Sequence, residues 1–480
     1  MTSLAHRAAE AFTTYPTAYE RNAPDARVVE QALAGARQSV FWLDDLGEAP
    51  ARPTLTAPTI ADLVIVGGGY CGLWTAVLAK RRNPALDVVL LEAETLGWAA
   101  SGRNGGFCEA SITHGEPNGL ARWPDEFELL EQLGLANLDE MESDVGSFAV
   151  DCQWERTGQF SVAVEEHELE YLSGPDVLDE QQTREQINSP LYLGAEWDRR
   201  GCAMVHPAKL VQALAQEADR LGVQIFEHSP VTRVETPRTG SAIVQTPRAT
   251  VRAERIALAT NVFPSLLRRN RFQVIPVYDY VLMTEPLSAE QMASIGWANR
   301  QGVADMANQF HYSRLTRDNR ILYGGYDAIY YSGGKLRAAY EDRPETFGKL
   351  ASHLLATYPQ LEGISFTHRW AGAIDTCTQF AAFHGLARRG RVAYAAGFTG
   401  LGVGATRFAA EVMLDHLDGA KTERTQLQMV RKRPVPFPPE PFSSVGINLT
   451  RWSLNRADHR QGRRNAFLRA MDAAGLGFDS

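Results

Sequence analysis

Three glycines in the segment VIVGGGYCG, Gly67, Gly69 and Gly72, have the spacing GxGxxG. The first glycine of such a motif makes a tight turn, the second lets the backbone approach a pyrophosphate, and the third lets a helix pack closely. The helix that follows offers free N–H groups and the positive end of its dipole to phosphates. The spacing therefore predicts a dinucleotide site, with a purely structural turn between a strand and a helix as the alternative.

An acidic residue and a second glycine-rich loop follow this motif. Glu92 comes about 20 residues after Gly72, where a carboxylate can accept hydrogen bonds from both ribose hydroxyls and would repel a 2′-phosphate, so it favours FAD or NAD over NADP. The loop SGRNGG at 101–106 adds a cation and an amide that suit a pyrophosphate or the edge of a flavin. Because NAD-dependent dehydrogenases do not usually carry such a loop, it favours FAD.

The elements that must position these residues are visible in the hydrophobic pattern. ADLVIV predicts a buried strand, LWTAVLAKRRN a helix, and DVVLLE a second buried strand. The segment 207–221 predicts a further helix, and several short strands follow it up to residue 260. This pattern predicts an α/β fold with a Rossmann-like doubly wound FAD-binding domain, interleaved with a mixed-sheet α+β substrate domain.

The composition excludes several classes of function. The chain has 480 residues, 48 Lys and Arg against 57 Asp and Glu, and a formal net charge of −9, which argues against nucleic acid as a partner. It is long enough for two domains and a large buried cofactor. We find no spacing typical of a metal site and no GxSxG motif, so we expect neither a metal centre nor a serine hydrolase.

Cysteine usage and apolar runs bear on where the protein resides. The five cysteines, Cys71, Cys108, Cys152, Cys202 and Cys377, are widely spaced and fit a reducing cytoplasm. The N-terminal segment shows no export signal, and three glycines split the longest apolar run, 63–79, into a strand and a helix. We therefore expect a cytoplasmic protein without a transmembrane segment, and a homo-oligomer is possible.

Beyond these motifs, the chain resembles the FAD-dependent amine and amino-acid oxidoreductases, the superfamily of D-amino acid oxidase, glycine oxidase and sarcosine oxidase. It is most similar to the branch that resembles gamma-glutamylputrescine oxidase. The matching segments are VIVGGGYCGLWTA, GWAASGRNGG, HPAKLV, ALATN, IPVYDYVLMTEPL, RWAGAID and AAGFTGLGVGATRFAAEVM, in the order of the family. The resemblance implies bound FAD and oxidation of a carbon–nitrogen bond.

The resemblance also implies roles for residues outside the first motif. GFTGLGVG opens a helix aimed at the pyrimidine ring of the flavin, and its N-terminus would stabilise the negative charge on reduced flavin. Val231 would contact the adenine and Thr260 would line the FAD cleft, although both also suit ordinary sheet positions. The residues expected to contact FAD are Gly67, Gly69, Tyr70, Cys71, Gly72, Glu92, Ala93, Ser101, Gly102, Arg103, Asn104, Gly105, Gly106, Val231, Thr260, Trp370, Gly397, Gly400, Leu401, Gly402, Val403 and Gly404.

Hydride transfer to a flavin needs the substrate carbon held close to it in a pocket that excludes water. Aromatic side chains would form that pocket, with His311 as a helper in proton transfer; core packing is the alternative for each. The candidates are Tyr278, Tyr280, His311, Tyr312, Trp370 and Phe398. Arg314, with Arg320 behind it, is the candidate cation for a substrate carboxylate, with a surface arginine as the alternative.

Two departures from the family pattern affect these expectations. The branch often has a histidine in its GYSGHG loop where this chain has Leu401 in GFTGLG, so that histidine's role is absent and Leu401 contacts the substrate instead. Sarcosine oxidases attach FAD to a cysteine near the RWAGAID segment. Cys377 lies a few residues away from that position, so we predict non-covalent FAD.

The predicted domains are discontinuous. Residues 1–58 form an N-terminal lead-in, 59–135, 201–270 and 366–430 form the FAD-binding domain, and 136–200 and 271–365 form the substrate domain. Residues 431–480 form a proline-containing linker and an arginine-rich tail, for which a solvated helix face is the simplest interpretation and a membrane or partner contact the alternative.

The expected reaction is oxidation of a small amine or amino acid by FAD, with reoxidation of the flavin by oxygen to give hydrogen peroxide. No second GxGxxG motif follows a strand, so the electrons are expected to come from the organic substrate rather than from a nicotinamide. A dehydrogenase that uses another electron acceptor or a partner subunit is one alternative. A flavin-binding component of a complex, without turnover of its own, is the other.

Overall fold

A computed structural model describes residues 14–477 of the chain. Residues 1–13, which hold most of the N-terminal segment in which no export signal was found, lie outside the described residues, as do residues 478–480 of the predicted tail. Within residues 14–477, no helix combines the length and the apolar composition needed to cross a membrane. The same residues hold no group of three or more His, Cys, Asp or Glu side chains placed to bind a metal ion.

The first sheet has eight strands, five of which are parallel and lie in the order β9–β3–β2–β12–β19. This is the order of a doubly wound dinucleotide fold, with the first strand of this sheet, β2, in the middle. The five strands are β2 (Thr59–Val66), β3 (Val88–Leu91), β9 (Gln224–Phe226), β12 (Thr250–Leu258) and β19 (Val392–Ala396). The antiparallel strands are β10 (Arg233–Glu235), β11 (Ala242–Gln245) and β18 (Phe383–Ala387).

The register of the parallel strands fixes where the site must be. Val66 pairs with both Leu91 and Leu258, and Leu258 pairs with Tyr394. The carboxyl ends of β2, β3, β12 and β19 therefore lie along one edge of the sheet, and the loops that follow them meet there. In open α/β sheets, this edge is where ligands bind.

Four helices cover one face of this sheet with apolar side chains. Trp74, Leu214 and Phe408 are fully or almost fully buried in this core and come from three different helices. Their burial anchors the helices that begin at the ligand-binding edge. The four helices are α4 (Tyr70–Arg82), α7 (Phe127–Ser147), α9 (Pro207–Arg220) and α12 (Gly402–Asp418).

The second sheet has nine strands of mixed direction, in the order β1–β17–β13–β16–β15–β14–β5–β7–β6. The strands are β1 (Arg37–Gln38), β5 (Gln159–Ala163), β6 (Val177–Leu178), β7 (Gly194–Asp198), β13 (Ile275–Thr284), β14 (Gly302–Asp305), β15 (His311–Leu315), β16 (Ile321–Gly325) and β17 (Phe366–Thr376). Two further strands, β4 (Phe107–Glu109) and β8 (Cys202–Met204), pair with each other beside both sheets. The α/β fold with a mixed second sheet agrees with the fold class predicted from the sequence.

The short helix Phe41–Leu46 packs against part of one face of the second sheet, and the longer helix Pro344–Thr357 covers the opposite face. Tyr278, Tyr280 and Leu282 of β13 share a core with Phe347 and Leu350 on that face. The other face is turned towards the first sheet. The remaining helices are α1 (Ala18–Arg21), α2 (Ala26–Leu33), α3 (Phe41–Leu46), α5 (Ala100–Arg103), α6 (Gly115–Arg122), α8 (Glu180–Gln186), α10 (Ala289–Ile295), α11 (Pro344–Thr357), α13 (Glu423–Gln426), α14 (Gln428–Arg431), α15 (Phe442–Asp458) and α16 (Ala466–Ala473).

Three stretches lie elsewhere than the sequence predicted. Residues 366–376 form β17 of the second sheet, paired along their length with β13, instead of belonging to the FAD-binding part. Helix α7 packs as a unit against the first sheet, so the predicted boundary at residue 136 falls inside it. The lead-in contributes Ala18, Tyr19 and Ala32 to the core of the second sheet, because its short helices are amphipathic.

One buried carboxyl of the second sheet should make stability depend on pH. Glu168 is 2% exposed, its Oε2 accepts hydrogen bonds from the backbone N–H groups of Val164 and Glu165, and burial raises its pKa from 4.5 to about 8. The folded chain thus binds this proton more tightly than the unfolded chain. The resulting stability is present below pH 4.5 and is lost as the pH rises through about 8.

We therefore expect Glu168→Gln to stabilise the protein at alkaline pH. Glutamine keeps an oxygen acceptor for the two N–H groups but carries no charge to desolvate. The gain in the free energy of unfolding should be about 2–4 kcal/mol at pH 9 and small at pH 5. Denaturant unfolding of both proteins at the two pH values measures it. An equal difference at both values would show that ionisation of Glu168 is not the cause.

Candidate active site

The turn after β2 requires glycine at two of the three motif positions. A Cβ at Gly67, whose φ is +110°, would lie 2.3 Å from the carbonyl oxygen of Ala259, and a Cβ at Gly72 would lie 1.9 Å from that of Gly67. A Cβ at Gly69 would meet only the side-chain oxygen of Ser101, at 2.8 Å. Gly67 and Gly72 thus hold the turn together, while Gly69 keeps open the space in front of the N-terminus of α4.

Glu92 lies at the end of β3 with both carboxylate oxygens oriented by the protein. Its Oε2 accepts a hydrogen bond from Gly68 N at 2.6 Å, and its Oε1 accepts from Glu94 N and Trp98 Nε1 at 2.9 and 3.1 Å. Burial raises its pKa. A carboxylate has about four acceptor positions, so it can still accept hydrogen bonds from ribose hydroxyls on the cleft side.

The second loop is fixed by its own side chains and by two tryptophans. Asn104 Oδ1 accepts from Gly106 N at 2.9 Å, while the indole N–H groups of Trp42 and Trp370 donate to the carbonyl oxygens of Asn104 and Arg103, both at 2.8 Å. Ser101 Oγ accepts from Tyr70 N at the start of α4 at 3.0 Å. The two glycine-rich loops therefore form one rigid wall.

The third loop follows β19 and opens helix α12. Gly397 and Gly400 have φ of +76° and +96°, a conformation that favours glycine, and a Cβ at Gly404 would lie 2.1 Å from the carbonyl oxygen of Glu109. Gly400, Leu401, Gly402 and Val403 line the cleft. The N-terminus of α12 therefore faces this cleft.

These loops border one large cavity between the two sheets, with a volume of about 2090 Å³. Pockets for drug-sized ligands measure about 300–1,000 Å³, so this cavity has room for a dinucleotide together with a small substrate. Most residues expected to contact FAD line it: Gly67, Gly69, Tyr70, Cys71, Glu92, Ala93, Ser101, Arg103, Asn104, Gly105, Gly106, Val231, Thr260, Gly400, Leu401, Gly402 and Val403. The space that Gly69 leaves open and three backbone loops ending at one edge fit the phosphates of FAD.

The other five residues expected to contact FAD do not line the cavity and lie behind the loops that border it. Gly72, Gly102, Gly397 and Gly404 permit close packing of the loops, and a Cβ at any of them would meet a neighbouring atom at 2.9 Å or less. Trp370 is 2% exposed, and its indole N–H donates a hydrogen bond to the carbonyl oxygen of Arg103. Cys377 is fully buried with its Sγ directed at the carbonyl oxygen of Ala381, so it is not placed to attach FAD.

Most of the predicted substrate-binding side chains do not reach the cavity. Tyr278 and Tyr280 lie on the helix-covered face of β13, where the Tyr280 hydroxyl donates to the carbonyl oxygen of Tyr340 at 2.7 Å. His311 lies on the same face, hydrogen-bonded to Asp305 and His353 at 2.6 and 2.8 Å. These placements contradict the expectation that the three residues contact substrate, because alternate side chains of a strand point to opposite faces.

Arg314 also differs from its predicted role. It is 2% exposed, its guanidinium donates to the carbonyl oxygens of Val205 and Gly106 at 2.7 and 3.2 Å, and it lies over the ring of Trp42. Arg320, expected behind it, pairs with Asp318 instead. Arg314 therefore holds the second loop in place and has no free donor pair aimed at a substrate carboxylate.

We expect Arg314→Met to lower stability and FAD affinity together. It leaves the buried carbonyl oxygen of Val205 without its donor and removes one of the two donors to Gly106 O, the other being Val205 N, which should cost about 1–3 kcal/mol of the free energy of unfolding. The exposed Arg317→Met is the matched control and should change it by less than about 0.5 kcal/mol. Thermal unfolding and flavin titration measure both effects. An intact Tm with a KM raised about 100-fold would instead support the original role in substrate binding.

Two of the predicted catalytic residues, Tyr312 and Phe398, do line the cavity, and Tyr312 has a partner that sequence reasoning missed. The Tyr312 hydroxyl donates to Asp279 Oδ2 at 2.5 Å. Burial raises the pKa of Asp279 to about 6. A single carboxylate inside the apolar strand IPVYDYVLM was the available signal, because unpaired carboxylates are rarely buried.

Further carboxyl groups border the same cavity, among them those of Asp375, Glu109 and Asp305. Asp375 accepts from Gly397 N at 2.6 Å, and burial raises the pKa of both Asp375 and Glu109 to about 7. Asp305 accepts from the hydroxyl of Tyr19 and from His311. Asp375 is held by the backbone N–H groups of Gly397 and Phe398 and by the side chain of Asn261, and so orients the loop before α12. Asp279 instead pairs with the hydroxyl of Tyr312 on the cavity wall that faces the glycine-rich loops.

A doubly wound sheet with three glycine-rich loops at one edge, facing a mixed sheet across a large cavity, is the architecture of a dinucleotide-binding protein. The family of FAD dependent oxidoreductases (DAO) matches residues 62–416, and the chain belongs to this family. FAD is accordingly its cofactor, and amines or amino acids are the substrates of the family.

The chain is similar over most of its length to curated proteins and to solved structures. It is 29% identical to gamma-glutamylputrescine oxidoreductase of Escherichia coli (strain K12), over 76% of this chain and 85% of that protein. It is 25% identical to the probable oxidoreductase OrdL of Haemophilus influenzae, over 79% and 88%. Glycine oxidase from Geobacillus kaustophilus has the same fold, with a TM-score of 0.63, 19% identity and coverage of 78% of this chain and 99% of that one.

Proposed function

We propose that this protein oxidises a carbon–nitrogen bond of a small amine or amino acid to an imine, and that Asp279 receives the substrate amine. The observation that carries the proposal is the pair of Asp279 and Tyr312 on the cavity wall that faces the glycine-rich loops. A carboxylate there binds a substrate ammonium. Because its pKa is about 6, it can also accept a proton from that group near neutral pH.

The family's cofactor supplies the chemistry that the chain lacks, since bound FAD accepts the hydride from the substrate carbon. The chain's own residues prepare that step. Asp279 holds the amine and takes its proton, which leaves a neutral amine whose lone pair assists loss of the hydride. Phe398, Val277 and Ile275 form apolar walls of the cavity that exclude water. The N-terminus of α12 faces the cavity and would stabilise negative charge on reduced flavin.

The substrate class can be identified from changes in the visible absorption of the bound flavin. The purified flavoprotein is mixed anaerobically with a panel of monoamines, diamines and amino acids, and the flavin absorbance is recorded. Bleaching by one member supports the proposal and identifies the substrate class. A flavin band that no amine or amino acid bleaches would contradict it and favour a component that turns over only with a partner.

We propose oxygen as the electron acceptor, with hydrogen peroxide as product. The second candidate is an acceptor other than oxygen, and the exposed apolar face of α15 favours it, because such a face suits a membrane or protein partner. Mixing the substrate-reduced protein with air separates the two. Reoxidation faster than turnover supports the oxidase, and slow reoxidation by air with fast reoxidation by a quinone supports the dehydrogenase.

A further inference from the structure

Helix α15 lies over the cavity and has two faces of different character. Ser443, Ser453 and Ala457 are buried, and Ile447 and Leu454 line the cavity on the inner side. The helix is fixed at its end by Asp458, whose carboxylate accepts from the backbone N–H groups of Asn308 and Gln309 at 3.0 and 3.1 Å. The segment that the sequence predicted as an arginine-rich tail therefore contains an ordered helix that covers part of the cavity.

The outer side of α15 carries large apolar side chains that are largely exposed to solvent. Val445, Leu449 and Trp452 are 64%, 39% and 54% exposed, and Phe442 at the start of the helix is 67% exposed and also borders the cavity. Their spacing of three and four residues places them in one line along the helix, which we call the α15 stripe. Arg456 continues the line, and its guanidinium lies 5.5 Å from the centre of the Trp452 ring.

Further exposed apolar side chains lie at and beside the segment just before α15. Phe437 N donates to the carbonyl oxygen of Phe272 at 2.7 Å, and both Phe272 and Val435 are about half exposed or more, at 47% and 59%. The guanidinium of Arg271 lies 5.3 Å from the Phe272 ring. Phe272 and Arg271 thus form a second pair of an exposed aromatic ring beside an arginine, like Trp452 and Arg456 at the end of the α15 stripe.

Charge in this part of the chain opposes that of the whole. Residues 431–477 contain nine Lys and Arg against three Asp and Glu, a net charge of +6, whereas the full chain has a net charge of −9. Amphipathic helices with Trp, Phe and Leu on one side and flanking Arg and Lys are typical of segments that lie in the interface of an anionic bilayer. Two copies of this surface placed face to face would bring two segments of +6 together, which opposes self-association.

We infer that the protein docks on anionic membrane surfaces through the α15 stripe, with the surrounding arginines and lysines contacting lipid phosphates. Val445, Leu449 and Trp452 enter the interface, and the inner side of the helix stays on the cavity. The inference does not depend on the proposed reaction. The cavity would lie directly beneath the docked helix, so the protein would work at the bilayer surface.

Sedimentation of the purified flavoprotein with lipid vesicles tests this. Vesicles of phosphatidylcholine with phosphatidylglycerol should bind the protein at least about tenfold more tightly than vesicles of phosphatidylcholine alone, and high salt should weaken the binding. Val445→Ser/Leu449→Ser/Trp452→Ser should weaken it by about tenfold or more. Arg456→Gln should weaken it about fivefold on the anionic vesicles only.

The matched control carries three serines at exposed apolar positions elsewhere, Ile60→Ser/Leu120→Ser/Val177→Ser, and should bind as the wild type does. Retained flavin absorbance shows that each variant is folded. The inference is overturned if the wild type binds neither kind of vesicle, or if the stripe variant binds as tightly as the wild type. It is also overturned if the wild type is a dimer that the stripe variant converts to a monomer, since the stripe would then be an interface between two copies.

Discussion

Gly69→Val is expected to purify as a folded protein without flavin. A Cβ at this position meets only the side chain of Ser101, which can rotate away with the loss of its hydrogen bond from Tyr70 N, and the backbone φ of −85° is one that valine adopts. The larger side chain then fills the space in front of the first N–H groups of α4, where a pyrophosphate would lie. We expect FAD affinity to fall about 100-fold or more, measured by the ratio of flavin to protein absorbance and by titration of the apoprotein.

Gly348→Val is the matched control, because it adds the same side chain to a helix where a Cβ meets nothing within 4 Å. It should keep stoichiometric flavin. The thermal unfolding midpoint of both apoproteins should be similar. Stoichiometric FAD in Gly69→Val would contradict the assignment of the phosphate site, and loss of the fold in Gly69→Val but not in Gly348→Val would show that Gly69 is a structural residue.

The cofactor site could be predicted from the sequence because it is built from short continuous segments. The first and third glycine-rich loops and Glu92 directly follow strands of a parallel sheet, so the order of elements alone places Gly67, Glu92 and Gly400 at one edge. The supporting residues were harder to predict. Trp370 and Arg314 hold the second loop from segments more than 200 residues away, and no local pattern shows such contacts.

Whether a residue can contact the substrate depends on which face of its strand it occupies, and on this point the predictions from the sequence were wrong. In β13 the register with β17 turns Tyr278 and Tyr280 to the helix-covered core, and Asp279 between them to the cavity. A shift of one residue reverses every assignment. Both faces of this strand are largely apolar, so the period of two that normally distinguishes them is weak.

The C-terminal segment shows a different limit of prediction from the sequence. Its arginines predicted a solvated helix, but the fixed position of α15 comes from Asp458, which binds the N–H groups of two residues about 150 positions earlier in the chain. The apolar residues of its two sides were present in the sequence. Only the tertiary structure shows which side packs on the cavity and which is exposed.

Asp279→Asn should reduce the rate of flavin reduction by substrate by about 10²–10⁴-fold, the range typical of a general base. Asparagine keeps the size and the hydrogen bond with Tyr312 but cannot accept the proton. Rapid anaerobic mixing across pH measures the effect on the chemical step. In the wild type the rate should fall below about pH 6 as Asp279 becomes protonated, and this limb should be absent in the variant.

Tyr312→Phe tests the same assignment from the other partner. The hydrogen bond from the Tyr312 hydroxyl stabilises the carboxylate and lowers the pKa of Asp279, while burial raises it. Without that hydrogen bond the pKa must rise, so the acidic limb of the rate should move to higher pH while the rate at high pH stays near that of the wild type. Ionisation of the substrate amine is identical in both proteins, so it cannot produce the difference. An unshifted limb in Tyr312→Phe, or a limb that persists in Asp279→Asn, would mean that another of the cavity carboxyls receives the proton.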